Sequence, residues 1–217
     1  MQNEKSFYRT CLSALNLVLG ASLLFPCVTS EAEMTMLSHE DHSHMHHHAS
    51  QNQDAYLRSE HAYTVPDVSL TSMDGKKILL DNELNSDVPT LLNFIFTSCT
   101  AICPVMTSTF SQVQNDLAES PTNFKMVSIS IDPEEDTPEK LKKYANKYKA
   151  GSHWDFLTGD LTTILKIQRA FNAYRGNKMN HVPITFMRAS KSDPWVRIEG
   201  FTSAKDLIGE YQKIVLR

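Results

Sequence analysis

The sequence predicts one mixed α/β domain in which helices sandwich a sheet with a parallel centre and an antiparallel finish. Three observations carry this. Strand and helix patterns alternate through the middle of the chain, as crossover units require. Thr90–Thr97 is an almost unbroken apolar run, the mark of a strand covered on both faces. Ile184–Arg188 and Trp195–Glu199 read as strands with no helix between them, which fits an antiparallel pair.

The chain of 217 residues has room for one ordinary domain plus a tail. Lys5 and Arg9 precede an apolar run from Cys11 to about Val28, and the small residues near Ser30 suit cleavage. Residues 1–30 are therefore expected to be a signal peptide or a membrane anchor, since the run approaches the ~20 residues of a span. Pro26 stands before Cys27 where a lipoprotein signal wants a small residue, so lipidation is not expected. The domain is expected to be exported, either periplasmic or anchored to the inner membrane and facing the periplasm.

Residues 31–62 are polar, aperiodic and free of aromatics except Tyr56, and read as a flexible tether. His39, His42, His44, His46, His47 and His48, with Met34 and Met36 upstream, fit an adaptable metal-binding surface there, the alternative being a plain solvated linker. Their irregular spacing is unlike an added affinity tag.

The folded domain is expected from Tyr63 to the end, residues 63–217. Asp74-Gly75 between Val68/Leu70 and Ile78/Leu80 reads as an N-terminal β-hairpin, because glycine supplies the positive φ of such turns. After the apolar strand comes a helix over Val105–Leu117, then a strand over Phe124–Ile131 with Val127, Ile129 and Ile131 on one face. Thr137 caps a helix with Pro138 at its first position, where the missing N–H costs nothing. A further helix runs from the cap Asp160 to a stop at Gly176, with Leu161, Ile164, Leu165, Phe171 and Tyr174 toward the core. Ser203 caps the last helix, whose stripe is Leu207, Ile208, Tyr211 and Val215.

The apolar fraction of 41% is lowered by the tether, and the remainder is globular. A net charge of −4 gives no basic face of the kind nucleic acid needs, so no nucleic-acid partner is expected.

Cys11 and Cys27 fall in the leader, which leaves Cys99 and Cys103 as the thiols of the mature domain. They sit where the apolar strand enters a helix, the place where open α/β sheets put their sites. A helix N-terminus favours thiolate over thiol, and residues i and i+4 share one side of a helical turn. Two thiolates are soft ligands suited to Cu(I). A Cys-x₃-Cys pair also fits two core residues, a disulfide or a redox couple. A disulfide across so short a loop would stabilise the fold little, which favours chemistry as its purpose. His181 precedes a core strand by two residues, so it lies on a loop at one sheet edge. An imidazole there would complete a site of two sulfurs and one nitrogen, while a single loop histidine also fits one with no role. His153 reads as a loop histidine without a role. Asp132 ends its strand, either as a plain turn residue or beside the cysteine loop as a docking or ligand-orienting contact; Asp136 reads as structural.

Thr97–Pro104, within Asn93–Met106, resembles the cysteine motif of the Sco/SenC family. Ser130–Pro138 is similar to that family's acidic motif, and His181 falls where its ligand histidine is expected. The resemblance covers roughly residues 63–215. It implies a thioredoxin-like fold, copper on Cys99, Cys103 and His181, and delivery of copper to the dinuclear copper A site of cytochrome c oxidase. The oxidase subunit carrying that site and another periplasmic copper chaperone are the implied partners, with the chain acting as a monomer. In some relatives the cysteines act mainly as a reductant for that site, so a thiol–disulfide oxidoreductase using Cys99 and Cys103 as its redox pair stands as the alternative. A peroxiredoxin-like peroxidase comes third. Where many relatives carry Asp-His-Ser or Asp-His-Thr, this chain has Asn180-His181-Val182-Pro183. A cis Val182–Pro183 bond, as in thioredoxins, would favour disulfide exchange.

Overall fold

A computed structural model describes residues 56–119 and 123–217. The chain divides into two units, Met1–Ala49 and Ser50–Arg217, and every described residue belongs to the second. The leader and the histidine cluster of the tether lie outside the described residues.

In chain order the elements are β1 (Leu57–His61), β2 (Ser69–Ser72), β3 (Lys77–Leu79), α1 (Leu80–Leu84), β4 (Thr90–Ile95) and α2 (Ile102–Ala118). They continue with β5 (Lys125–Ser130), α3 (Pro138–Lys147), β6 (Trp154–Thr158), α4 (Leu161–Ala170), a 3₁₀ turn over Lys178–Asn180, β7 (Ile184–Arg188), β8 (Trp195–Glu199) and α5 (Ala204–Val215). One eight-stranded sheet has the order β1-β8-β7-β4-β5-β6-β2-β3. β4, β5 and β6 are parallel, and the strands on either side join them antiparallel. The mixed α/β sandwich and its hairpin at Gly75 (φ 76°) are as the sequence predicts.

The core sits on both faces of β4, every residue of which is buried. Phe171, the C-cap of α4, packs edge-on against Phe94, Phe186 and Trp195 on one face. On the other, Phe110 of α2 meets Trp154, whose indole N–H donates to Ser128 at 2.9 Å. Thr107 of α2 and Tyr144 of α3 share a hydrogen bond of 2.9 Å, so these helices lie side by side over that face.

Several elements differ from expectation. β1 occupies part of the expected tether. Its sequence Leu-Arg-Ser-Glu-His shows no apolar alternation, because it is an edge strand held by its ladder to β8 and by Arg58 on Glu210. β6 was not legible as a strand, being only five residues long and followed almost at once by the Asp160 cap. α2 starts at Ile102 and takes Pro104 into its first turn, where no intrahelical N–H bond is lost. α4 ends at Ala170, because Asn172 already adopts the left-handed conformation (φ 48°); Gly176 lies beyond it in the loop, and Leu161 is exposed.

Candidate functional site

Strand direction assembles the site. Because β4 and β5 are parallel, the cysteine segment after one and the acidic segment after the other leave the sheet at the same edge. β7 runs antiparallel to β4 with Asn93 opposite Thr185. Each step outward along β4 is matched by one step back along β7, so the register carries His181 to the level of Thr97.

The two cysteines differ sharply. Cys99 is partly exposed, in the turn closed by its N–H to the Phe96 carbonyl at 3.2 Å. Cys103, in the first turn of α2, is 0% exposed. The N–H of Cys103 donates to Cys99 Sγ at 3.3 Å. Burial pushes the Cys99 thiol up, but the N–H groups of Cys103, Ala101 and Ile102 and the Cys103 thiol outweigh it and hold it below the ordinary value. Cys103 goes the other way. Burial dominates and the neighbouring Cys99 and Asp136 add to it, so this thiol keeps its proton. The helix N-terminus therefore serves one sulfur, and the buried partner donates to it.

His181 is 9% exposed and stands edge-on to Phe96, with ring centroids 6.3 Å apart. Burial and the nearby Arg175 lower its pKa to about 4 against a hydrogen bond to the Phe94 carbonyl, so the ring is neutral at ordinary pH. Nδ1 is buried and has no hydrogen-bond partner. The neutral ring carries one free nitrogen lone pair, the state a metal ligand needs. Cys99 and His181 line one cavity of about 150 Å³, floored by Phe96 and closed by Lys178 and Met179. Among the described residues no three His, Cys, Asp or Glu side chains are gathered into a finished metal cage. The cavity holds one sulfur and the imidazole, with the second sulfur buried behind the first.

The acidic segment grips both halves of the site, with its two aspartates dividing the task. Asp136, 0% exposed, accepts from the Thr97 N–H at 3.0 Å, the Thr97 hydroxyl at 2.5 Å and the Ser130 hydroxyl at 2.6 Å. Asp132 accepts from Lys178 Nζ at 2.5 Å and thereby ties down the turn that leads to His181. The anchor of the cysteine loop is thus Asp136, while Asp132 serves the histidine side. Lys178 also lies 5.9 Å over the Phe96 ring. Nothing in the sequence singles out Lys178, whose importance comes from a partner 46 residues away. His153 is exposed and tilted against Phe124, away from the cysteines and His181. The Val182–Pro183 bond is trans, since the described residues contain no cis peptide.

The family model described as SCO1/SenC matches residues 58–215. The chain is 40% identical over 98 residues to a SCO1 protein homolog of Bacillus subtilis, a stretch covering 45% of this chain and 50% of that protein. It is 36% identical over 81 residues to a protein of Stutzerimonas stutzeri named for copper binding, covering 37% of this chain and 39% of the relative. The matches thus span about half or less of these relatives. Among solved structures, BsSco, described with a disulfide switch and as a member of the Sco family of cytochrome c oxidase assembly proteins, superposes with a TM-score of 0.62 at 26% identity. That match covers 74% of this chain and 98% of BsSco. Copper-bound ScoI of Arabidopsis thaliana gives a TM-score of 0.60 at 24% identity, over 70% of this chain and 99% of that one, which shows the shared fold.

Proposed function

Because the chain belongs to the SCO1/SenC family, we propose that it is an exported copper-binding assembly factor for the copper A site of cytochrome c oxidase, holding copper on Cys99, Cys103 and His181. The observation that carries this is that His181, whose Nδ1 is buried without a partner, lines one cavity together with Cys99. A desolvated nitrogen without a partner costs free energy, which a metal bond would recover.

Copper is cargo in this reading, and each residue has a part in loading it. Cys99, already inclined to ionise, offers the first sulfur. Cys103 gives up its proton on binding, so uptake releases a proton to water. The two thiolates suit Cu(I), and the neutral imidazole suits Cu(II) as well. Release proceeds by ligand exchange, with thiolates of the target replacing these sulfurs one at a time. The histidines of the tether, His39 to His48, would collect copper for the site.

The experiment is a paired titration of His181→Ala. Cu(II) affinity is expected to fall by about two orders of magnitude while Cu(I), held by two sulfurs, changes far less. An unaltered Cu(II) spectrum and affinity would overturn the ligand assignment.

The difference between the two thiols supports a second reading, a thiol–disulfide reductase. Cys99 thiolate would attack a target disulfide, forming a mixed disulfide and releasing one target thiolate. Cys103, once deprotonated, would then attack the Cys99 sulfur, closing the Cys99–Cys103 bond and releasing the second target thiol. An external thiol reductant would restore the pair. Turnover with a disulfide substrate, measured metal-free, separates this reading from copper delivery.

A further inference from the structure

A second cavity opens on the other side of Cys99 from His181. It measures about 500 Å³, and its floor is Cys99, Pro104, Tyr144 and Tyr148. Its rim is formed by Lys140, Lys143 and Lys147 of α3. Spacings of three and four residues place these three ammonium groups along one face of the helix. Lys140 has a local partner, Glu135 at 3.1 Å. Among the described residues, Lys143 and Lys147 make no ion pair; Lys147 lies 5.3 Å over the Tyr148 ring. Lys142, off this face, is paired with Asp74 at 2.9 Å.

We infer that this groove is the docking surface for an extended, acidic segment of the target protein, laid across Tyr144 and Tyr148 so that its cysteine reaches Cys99. The inference rests on the reading that Cys99 exchanges with a target sulfur. Three features select this occupant. The walls meet at the partly exposed Cys99 thiol, so whatever fills the groove passes its sulfur. The floor is aromatic and proline-lined, which suits an extended backbone with one apolar side chain. The rim carries unpaired positive charge on a chain whose net charge is −4, so the local field attracts carboxylates against the charge of the whole molecule. A concave groove walled by two helices fits a single strand better than a flat lipid surface.

The test uses the full chain with Cys11→Ser and Cys27→Ser, reduced and metal-free. Two synthetic peptides each carry one cysteine as a mixed disulfide with thionitrobenzoate. Asp and Glu flank that cysteine in one, Asn and Gln in the other. Attack by the Cys99 thiolate on the peptide sulfur forms a protein–peptide disulfide and expels thionitrobenzoate, whose colour gives the rate. At low salt the acidic peptide is expected to react about ten-fold faster than the amide peptide, and the preference to shrink to about two-fold at ~0.5 M salt. Lys143→Gln/Lys147→Gln is expected to abolish the preference while leaving the amide peptide's rate unchanged. Equal rates for both peptides on the unaltered lysines would overturn the inference, as would a preference that survives the double substitution. So would anionic phosphatidylglycerol vesicles that erase the acidic peptide's advantage, since the groove would then belong to lipid. Copper titration of the same lysine variant is expected to match the parent chain. A failed metal assignment thus appears in the copper titration, and a failed docking surface in the peptide rates.

Discussion

The Asp136 carboxylate holds Thr97 twice, accepting from its backbone N–H at 3.0 Å and from its hydroxyl at 2.5 Å. Thr97 is the first central residue of the turn that presents Cys99, so this contact fixes where the cysteine segment leaves the sheet. Ser130 on the neighbouring strand adds a third donor at 2.6 Å, and the carboxylate is fully buried.

Asp136→Ala strands these buried donors and is expected to cost about 2–4 kcal/mol, read as a fall in the urea midpoint. Thr97→Val keeps the N–H contact and removes one hydroxyl, so it should cost about 1 kcal/mol. An unchanged midpoint in Asp136→Ala would show that the contact does not hold the edge together.

The Asp132–Lys178 pair should govern the histidine side alone. Lys178→Ala and Asp132→Asn are each expected to weaken Cu(II) binding about ten-fold, as loss of a ligand-orienting contact does. The double variant should lose no more than either single one, since both remove the same link. Additive losses would mean that the two residues act separately.

Alkylation separates the thiols. In the Cys11→Ser/Cys27→Ser chain at neutral pH, iodoacetamide should modify Cys99 at least about ten-fold faster than Cys103, because the thiolate is the reactive form and only Cys99 is both accessible and inclined to ionise. Peptide mapping of partly labelled protein gives the ratio. Equal labelling would remove the basis for assigning them different roles.

Glu210 offers a test by pH. It is 2% exposed and accepts from Arg58 at 2.7 Å, Tyr56 at 3.0 Å and Lys213 at 2.6 Å, joining β1 to α5. Burial pushes its carboxyl up, but these hydrogen bonds outweigh it and set its pKa below the ordinary value. A carboxyl lowered by folding stabilises the fold above its unfolded pKa of about 4.3, and the gain disappears as pH falls through the folded value. Glu210→Gln should therefore melt well below the parent at pH 7, with the gap narrowing in strong acid. A gap independent of pH would assign the loss to packing.

The sequence alone determined the local parts. The apolar run Thr90–Thr97, the caps Thr137, Asp160 and Ser203, the Asp74-Gly75 turn and the closing strands are all short-range patterns, and each forms where its residues dictate. The motifs around Cys99, Asp132 and His181 were legible for the same reason. What tertiary structure decided was how these parts meet. β1 exists because β8 offers it a ladder, and β6 because β5 and β2 do. The division of labour between Asp136 and Asp132 depends on which strand ends lie side by side, and the roles of Lys178 and Lys143 on what faces them. The opposite behaviour of Cys99 and Cys103 is likewise tertiary: burial raises both thiols, but at the half-buried Cys99 the facing N–H groups outweigh it, while at the enclosed Cys103 it dominates.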